Sequence, residues 1–139
     1  MGKFSGWDRS LNPFRGKELI MSLDFSLERE VWHSYDRGKT WETDMEEVYT
    51  GNITHNLSRM AKEVGLYACL WGWEAHGKQA KEIVADLRQG LNKLKSDPDY
   101  YKQFDAPNGW GKYTNLASFV QEVLYYCTQH PDARIRISK

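Results

Sequence analysis

Several features that define large protein classes are missing from this chain of 139 residues. Its 19 basic and 19 acidic side chains leave no net charge to draw it onto nucleic acid or an anionic membrane. No apolar run approaches the roughly 18 residues that a membrane-spanning helix needs. The start of the sequence, Met1 to Phe4, lacks the apolar stretch of a secretory signal. We therefore expect a cytoplasmic protein that contacts no membrane and does not bind nucleic acid directly.

Cysteine and catalytic motifs are scarce as well. Cys69 and Cys127 form no CxxC pair and have no histidine at metal-ligand spacing, so we expect buried, reduced side chains and no metal. The sequence contains no glycine-rich phosphate loop, no GxSxG and no HExxH. These absences argue against an enzyme and against a bound cofactor. An enzyme that uses His55 as a general base is a third and minor hypothesis.

Aromatic residues, in contrast, are abundant. Six Trp, eight Tyr and five Phe make up 14% of the chain. A buried aromatic side chain removes about 150–250 Å² from water, so these rings can dominate the core of a small domain. Trp and Tyr are also enriched where proteins contact their partners. We expect most of the rings in the core and a minority on a pocket or an interface.

Charge is uneven along the chain although it sums to zero. Residues 21–50 carry eight acidic and three basic side chains, a net charge of −5, whereas residues 1–20 have a net charge of +2. The first twenty residues also hold three Gly and one Pro, which indicates an irregular N-terminal arm ahead of a single domain at 21–139. A solvated face is the simplest explanation of the acidic stretch, and a surface for a basic partner is the alternative.

Alternation of apolar and polar residues predicts the strands. The segment 21–28 alternates with period two, and 31–35 and 40–43 flank the turn 36–39 as a hairpin with a polar, exposed tip. The C-terminal segment 133–138 alternates as well. An isolated terminal strand cannot satisfy its backbone groups, so we expect it to pair with 21–28 or with the hairpin.

Helical periodicity predicts most of the remaining chain. Apolar residues recur at helical spacing over 53–64, about 78–95, a short stretch from Pro98, and 113–129. Either Asn52 or Thr54 can cap the first helix, and Gly65 suits a left-handed stop. Together the elements predict an α+β fold, in which a small antiparallel sheet of N-terminal strands and the C-terminal strand is covered by three or four helices.

Two polar segments have the composition of a small-ligand site. Their candidate ligand-binding residues are Asn52, Thr54, His55 and Asn56 in the first segment, and Asn108, Trp110 and Tyr113 in the second. Both segments precede helices, whose first turns offer free N–H groups to an anion or a polar ligand. If they adjoin, they form a pocket with polar donors and aromatic walls. Ordinary capping of the first helix, and a rigid turn with Trp110 in the core, are the alternatives.

The order of several short sequence words carries a resemblance to a known family. These words are Asn52-Ile53-Thr54-His55-Asn56-Leu57, Gly65-Leu66-Tyr67, Asn108-Gly109-Trp110-Gly111 and Pro131-Asp132-Ala133. As a set they resemble a family of short uncharacterised proteins encoded by bacteriophages and their bacterial hosts, over roughly residues 21–139. The resemblance implies a phage or prophage setting, in which small proteins often antagonise host defence, and it brings no known catalytic residue with it. The arm 1–20 and the hairpin 31–43 look like additions to the family's pattern.

The primary hypothesis is therefore a non-enzymatic, phage-type accessory protein that binds a host protein or complex and inhibits it. Its contact residues are expected on the arm and the hairpin: Phe4, Trp7, Phe14, Trp32, Tyr35, Trp41, Glu46 and Glu47. The alternative is a protein that binds or sequesters a small nucleotide-like ligand in a pocket near 52–56 and 108–113.

Overall fold

The computed structural model describes residues 22–107, 109 and 111–139. The strands are β1 (Ser22–His33), β2 (Glu42–Thr54) and β3 (Arg134–Ser138). The helices are α1 (Ser58–Glu63), α2 (Tyr67–Leu70), α3 (Val84–Ser96), α4 (Pro98–Lys102) and α5 (Tyr113–Gln129), with 3-10 turns at His55–Leu57, Trp73–Ala75 and Ala80–Ile83. The predicted α+β class is confirmed. The arm predicted at 1–20, with Phe4, Trp7 and Phe14, lies outside the described residues.

The three strands form one antiparallel sheet in the order β2-β1-β3. The central strand β1 pairs with β2 along its whole length, from Ser22 opposite Thr54 to His33 opposite Glu42. It pairs with β3 over a shorter stretch, which ends where Glu28 lies opposite Arg134. The prediction that the C-terminal strand completes its hydrogen bonds on the first strand is confirmed.

The core lies between one face of this sheet and the helices. Leu23, Phe25 and Leu27 alternate along β1 and are fully buried, as are Ile135 of β3 and several residues of α3 and α5. Period-two alternation places these β1 side chains on the same face of the sheet. The two helices α3 and α5 pack against each other. The part of the sheet in which β1 pairs with both β2 and β3 therefore forms one side of the hydrophobic core.

Local signals in the sequence place most helix ends correctly. Asp97 caps α4 by accepting a hydrogen bond from the backbone N–H of Tyr100, with Pro98 in the first turn. Gly65 has a φ of 77°, the left-handed conformation predicted for the stop after the first helix. Cys69 and Cys127 are buried and unpaired as expected, and burial raises the pKa of each thiol to about 12.

The structure corrects four details of the predicted elements. Residues 52–54 belong to β2 and do not begin a helix, because Asn52 and Ile53 pair with β1. The strand at 21–28 and the first strand of the hairpin are one continuous strand. The start of the second helix, at 80–83, is a 3-10 turn. The described chain has five α-helical segments where three or four were expected, because Gly65 and the short turns divide the helical regions.

Candidate functional site

Beyond the end of β3, β1 and β2 continue as a two-stranded ribbon that we call the distal hairpin, residues 29–46. A bulge marks its base, since Leu27 lies opposite Tyr49 and Glu28 lies opposite Glu47, leaving Val48 as the extra residue of β2. No side chain between residues 29 and 46 is buried. The same two strands therefore support the core at one end and are exposed to solvent at the other.

Four large hydrophobic side chains of the distal hairpin are exposed. The exposed fractions are 61% for Trp32, 83% for Tyr35, 57% for Trp41 and 47% for Met45. Aromatic rings that remain in water add no hydrophobic stabilisation to the fold. At many protein interfaces, in contrast, Trp and Tyr contribute most of the binding free energy. Three of these residues were predicted as partner contacts. Met45 was missed because its position opposite Glu30, on the same face of the hairpin as Trp32, follows only from the register of the two strands.

The tip of the distal hairpin is held by hydrogen bonds around Asp36. The Asp36 carboxylate accepts from the hydroxyl and the backbone N–H of Thr40, at 2.6 and 2.8 Å, and from the Ser34 hydroxyl at 2.8 Å. These bonds, those from Thr40 first, lower the pKa of Asp36 from 3.8 to about 2. Arg37 and Gly38 close the turn with φ values of 61° and 85°. Tyr35 is therefore presented from a turn with a defined conformation.

Acidic side chains follow β2 through the distal hairpin. Residues 42–47 carry four carboxylates and no basic residue. Of the two predicted contact acids, Glu46 accepts from Arg29 at 2.8 Å, and Glu47 is exposed on the opposite face of the hairpin. Within residues 22–107, 109 and 111–139, Glu47 makes no ion pair. Among the described residues, Arg29 therefore compensates the charge of Glu46 but not that of Glu47.

A groove runs along the base of the distal hairpin. Its volume is about 570 Å³, and it extends from Met45 across Glu28–Glu30 to the chain at 130–134 that leads into β3. Its lining includes acidic, basic and apolar side chains, among them Glu30, Arg134 and Met45. The groove joins the exposed hairpin to the rest of the domain.

The first polar segment predicted for a small ligand is largely occupied by contacts within the protein. The Asn52 amide donates to the Asp24 carboxylate at 2.6 Å and to the Ser22 hydroxyl at 3.1 Å, across the two strands. The Thr54 hydroxyl accepts from the backbone N–H of Asn56 and caps the 3-10 turn that follows. These contacts match the capping alternative, with Thr54 rather than Asn52 as the cap.

His55 serves as the hydrogen-bond partner of a buried tryptophan. The indole N–H of Trp71, which is 1% exposed, donates to His55 Nδ1 at 2.9 Å. An indole can only donate, so Nδ1 carries no proton and the neutral ring holds its proton on Nε2. Burial, together with the nearby Lys139 ammonium, lowers the pKa of His55 and favours this neutral form. The Nδ1 lone pair that a general base would use is therefore engaged by Trp71.

The two predicted ligand segments do adjoin in space. A side chain at Gly111 would meet the Thr54 and Asn56 side chains and Leu57 at 3.2–3.3 Å, so the segments touch directly at this glycine. Gly111 has a φ of 146°, which favours glycine at this contact. Asn108 and Trp110 lie outside the described residues, so the walls that they would supply to a pocket stay a prediction.

Tyr113, the last of the predicted ligand residues, is tied into the fold at the start of α5. Its backbone N–H donates to the Asp105 carboxylate at 2.7 Å, and its hydroxyl donates to the Leu94 carbonyl at 2.7 Å. The ring is buried, and burial raises the pKa of its hydroxyl. Both polar groups of Tyr113 thus have partners inside the protein.

The fold and this site define a small α+β domain with an exposed, aromatic and acidic hairpin. No protein-family model, curated protein or solved structure matches the chain. No helix in the described part of the chain is long and apolar enough to cross a membrane. The described residues also contain no group of three or more His, Cys, Asp or Glu that could hold a metal ion. The resemblance to short phage proteins stays an expectation.

Proposed function

We propose that this chain is a non-enzymatic binding protein that contacts a partner protein through the distal hairpin. The observation that carries the proposal is the exposure of Trp32, Tyr35, Trp41 and Met45 on a hairpin that takes no part in the core. Large apolar groups in water raise the free energy of the isolated chain, and a partner that covers them recovers it. The ordered tip limits the conformational entropy that binding would cost.

The same features favour binding over catalysis. The two thiols are buried and their pKa values are raised, which makes both poor nucleophiles. His55 is held by Trp71 through the nitrogen that would accept a proton. The distal hairpin carries several exposed rings together with exposed carboxylates. These are the groups that protein recognition uses.

The biological setting of the proposal comes from the resemblance to short phage proteins. In that setting the chain is an accessory factor that acts in the cytoplasm of a bacterial host. Its partner is a host protein or complex, and a defence complex that the bound hairpin inhibits is the leading case. The acidic residues 42–47 favour a partner whose contact surface is basic.

The proposal is tested with two matched triple variants of the full chain. The first variant, Trp32→Ala/Tyr35→Ala/Trp41→Ala, removes the rings of the distal hairpin. The control, Trp73→Ala/Tyr100→Ala/Tyr125→Ala, removes three rings that are similarly exposed elsewhere. Proteins captured from a bacterial lysate by the wild-type chain are identified and purified, and their affinities for all three chains are measured by calorimetry.

We expect the hairpin variant to bind its partner at least 30-fold more weakly than the wild type, since one interface hot spot contributes about 2 kcal/mol. The control variant should remain within about threefold of the wild type. Equal losses in both variants, or no loss in either, would contradict the proposal. A deletion of residues 1–18 measured in the same way tests the predicted contribution of Phe4, Trp7 and Phe14.

A second candidate function is favoured by the direct contact of segment 52–57 with Gly111. In this case the chain sequesters a nucleotide-like ligand, whose base would stack on Trp110 and whose phosphates would meet backbone N–H groups. A thermal-shift screen against a nucleotide panel checks it. A ligand at 100 times its dissociation constant stabilises the fold by about 2.7 kcal/mol. Absence of any shift across the panel would reject this candidate.

A further inference from the structure

The hydrogen bonds of β3 fix the direction of the backbone groups in the sheet. On the outer side of β3, Ile135 exchanges backbone hydrogen bonds with residues 77 and 78, at 2.7 and 2.8 Å. Neighbouring residues of a strand direct their backbone groups to opposite sides. The N–H and C=O groups of Arg134 and Arg136 therefore point inward to β1.

The same alternation leaves part of β1 without a partner strand. Arg134 lies opposite Glu28, so the backbone groups of Glu28 point to β3. The backbone groups of Glu30 and Trp32, two and four residues further along β1, point to the same side. The strand β3 does not extend that far. Within the described part of the chain, no hydrogen bond is made to this side of Glu30 or Trp32. Among residues 22–107, 109 and 111–139, the distal hairpin thus has an open edge in line with β3.

The chain that leads into β3 does not cover this edge. The Pro131 carbonyl accepts from the N–H of Lys81 at 2.9 Å, and the Ala133 carbonyl accepts from the N–H of Ala80 at 2.8 Å. Those bonds hold the segment before β3 against the 3-10 turn rather than against β1. The groove of about 570 Å³ lies between this segment and β1.

The opposite edge of the hairpin is protected by its own side chains. On β2 the alternation directs the backbone groups of Thr43 and Met45 outward. The Asp44 carboxylate accepts from the outward N–H of Met45 at 2.8 Å, which occupies a donor that another strand would need. The edge at Glu30 and Trp32 is therefore the more available of the two.

We infer that an extended, basic segment of the partner protein adds to this edge of β1 as a further strand, in line with β3. The inference rests on the proposed function and names the mode and the chemistry of binding. Main-chain hydrogen bonds to Glu30 and Trp32 supply affinity, as in other complexes formed by strand addition. The exposed ring of Trp32 and the Met45 side chain contact the apolar residues of the added strand.

Charge selects the chemistry of the added strand. Glu28 and Glu30 lie on one face of β1, and Glu47 lies opposite Glu28 on β2. Arg136 of β3 pairs with the Glu28 carboxylate at 4.0 Å. Glu30 and Glu47 are therefore the carboxylates that an added strand would meet. A second copy of this chain, added antiparallel at the same edge with Glu30 opposite Glu30, would place like charges directly opposite each other, which destabilises pairing. Lysine and arginine on the added strand would meet opposite charge. The occupant is thus a basic segment of another protein.

A displayed library of random linear dodecapeptides provides the probe. It is selected on the full wild-type chain, and the enriched peptides are measured against two variants. Glu30→Pro removes the outward N–H while leaving the N–H groups of Arg29 and Val31 available to β2. Glu30→Gln removes the charge and keeps the N–H. We expect enriched peptides that carry both lysine or arginine and apolar residues at every second position, on the face that meets Glu30 and Trp32. These peptides should bind Glu30→Pro at least tenfold more weakly than the wild type.

Hydrogen exchange measured on the wild-type chain tests strand addition without depending on whether the proline variant folds. Saturation with an enriched peptide should slow exchange at the amides of Glu30 and Trp32 at least tenfold, and leave the outward amide of Thr43 unchanged. N-methylation of the peptide amides that face β1 should weaken binding at least tenfold, whereas N-methylation of the amides that face away should have little effect.

The results separate this inference from the proposed function. If no peptide is enriched, if enriched peptides are not basic, or if the amides of Glu30 and Trp32 keep their exchange rates, strand addition is wrong. The proposed function then still depends on the aromatic triple variants and their captured partner. If those variants bind like the wild type while peptides still protect the edge, the hairpin contacts named in the proposed function are wrong and the edge remains a binding site.

Discussion

The two ends of the β1–β2 pair differ in burial: one end contributes side chains to the core, and the other end, the distal hairpin, is exposed. Before the bulge at Val48, β1 places Leu23, Phe25 and Leu27 in the core under α3 and α5, and β3 completes the sheet. In the distal hairpin β3 no longer pairs with β1, no side chain of residues 29–46 is buried, and Trp32 and Met45 are exposed. Hydrophobic side chains at one end stabilise the fold, and at the other they are available to a partner. Residue type alone does not separate buried from exposed aromatic side chains.

The strongest test of this comparison replaces one aromatic ring in each half. We expect Phe25→Ala to lower the free energy of unfolding by about 3–5 kcal/mol, since it opens a cavity in a closed core. Trp32→Ala should change it by about 0.5 kcal/mol or less, because the ring is exposed. Denaturant titration of both variants provides the measurement. A loss above 2 kcal/mol in Trp32→Ala would show that the distal hairpin supports the fold.

A smaller effect is expected at the boundary between the two halves. The Tyr49 ring lies across Gly51, so that a methyl group at Gly51 would overlap the Tyr49 hydroxyl and touch Phe119. We expect Gly51→Ala to destabilise the fold by about 1–3 kcal/mol through overpacking. Thr50→Ala, at an exposed neighbouring position, is the control. Equal stability of the two variants in thermal unfolding would mean that the ring moves aside freely.

The hydroxyl of Tyr49 ties the same boundary to the helix layer. It donates to the Glu122 carboxylate of α5 at 2.7 Å, and burial together with this bond raises its pKa. We expect Tyr49→Phe to lower the free energy of unfolding by about 1 kcal/mol, the usual contribution of one hydrogen bond. Glu122→Gln, which keeps an acceptor, should lose less. Chemical denaturation curves of the two variants decide whether the ordering holds.

The smallest effect is expected at the hairpin tip and depends on pH. Because the pKa of Asp36 is lowered to about 2, its carboxylate stabilises the tip at pH values above its unfolded pKa near 3.8. This stabilisation is lost progressively as the pH falls from 3.8 towards 2. Hydrogen exchange at the Thr40 amide should accelerate relative to the unfolded chain over that interval. Asp36→Asn should remove this pH dependence, whereas Asp99→Asn on α4 should leave it intact.

Much of the fold could be predicted from local patterns. Alternation identified the strand at 21–28 and the C-terminal strand, and helical spacing placed the last helix at the residues where the structure has it. These signals are local because each strand or helix must direct apolar residues to one side. The predicted start of the first helix was wrong for a non-local reason. Asn52 can cap a helix, but here its amide bonds across the sheet to Asp24.

The candidate site was predictable only in part. Composition pointed to Trp32, Tyr35 and Trp41 as partner residues; the structure shows that their side chains are exposed, and their contact with a partner stays a prediction. The Met45 contact and the open edge at Glu30 depend on where β3 ends and on the pairing register of β1 with β2. Neither quantity is local in the sequence. The contact of Gly111 with segment 52–57 likewise appears only when distant parts of the chain fold together.

The sequence by itself determined the α+β class, the alternation of the strands and most helix limits, because backbone hydrogen bonding and one-sided burial act over a few residues. The tertiary structure decided which end of the long hairpin is buried. That choice depends on the length of β3 and the bulge at Val48, which set how far the helix layer and the third strand cover β1. Burial is a property of the assembled layers, so the division between buried and exposed side chains follows from packing.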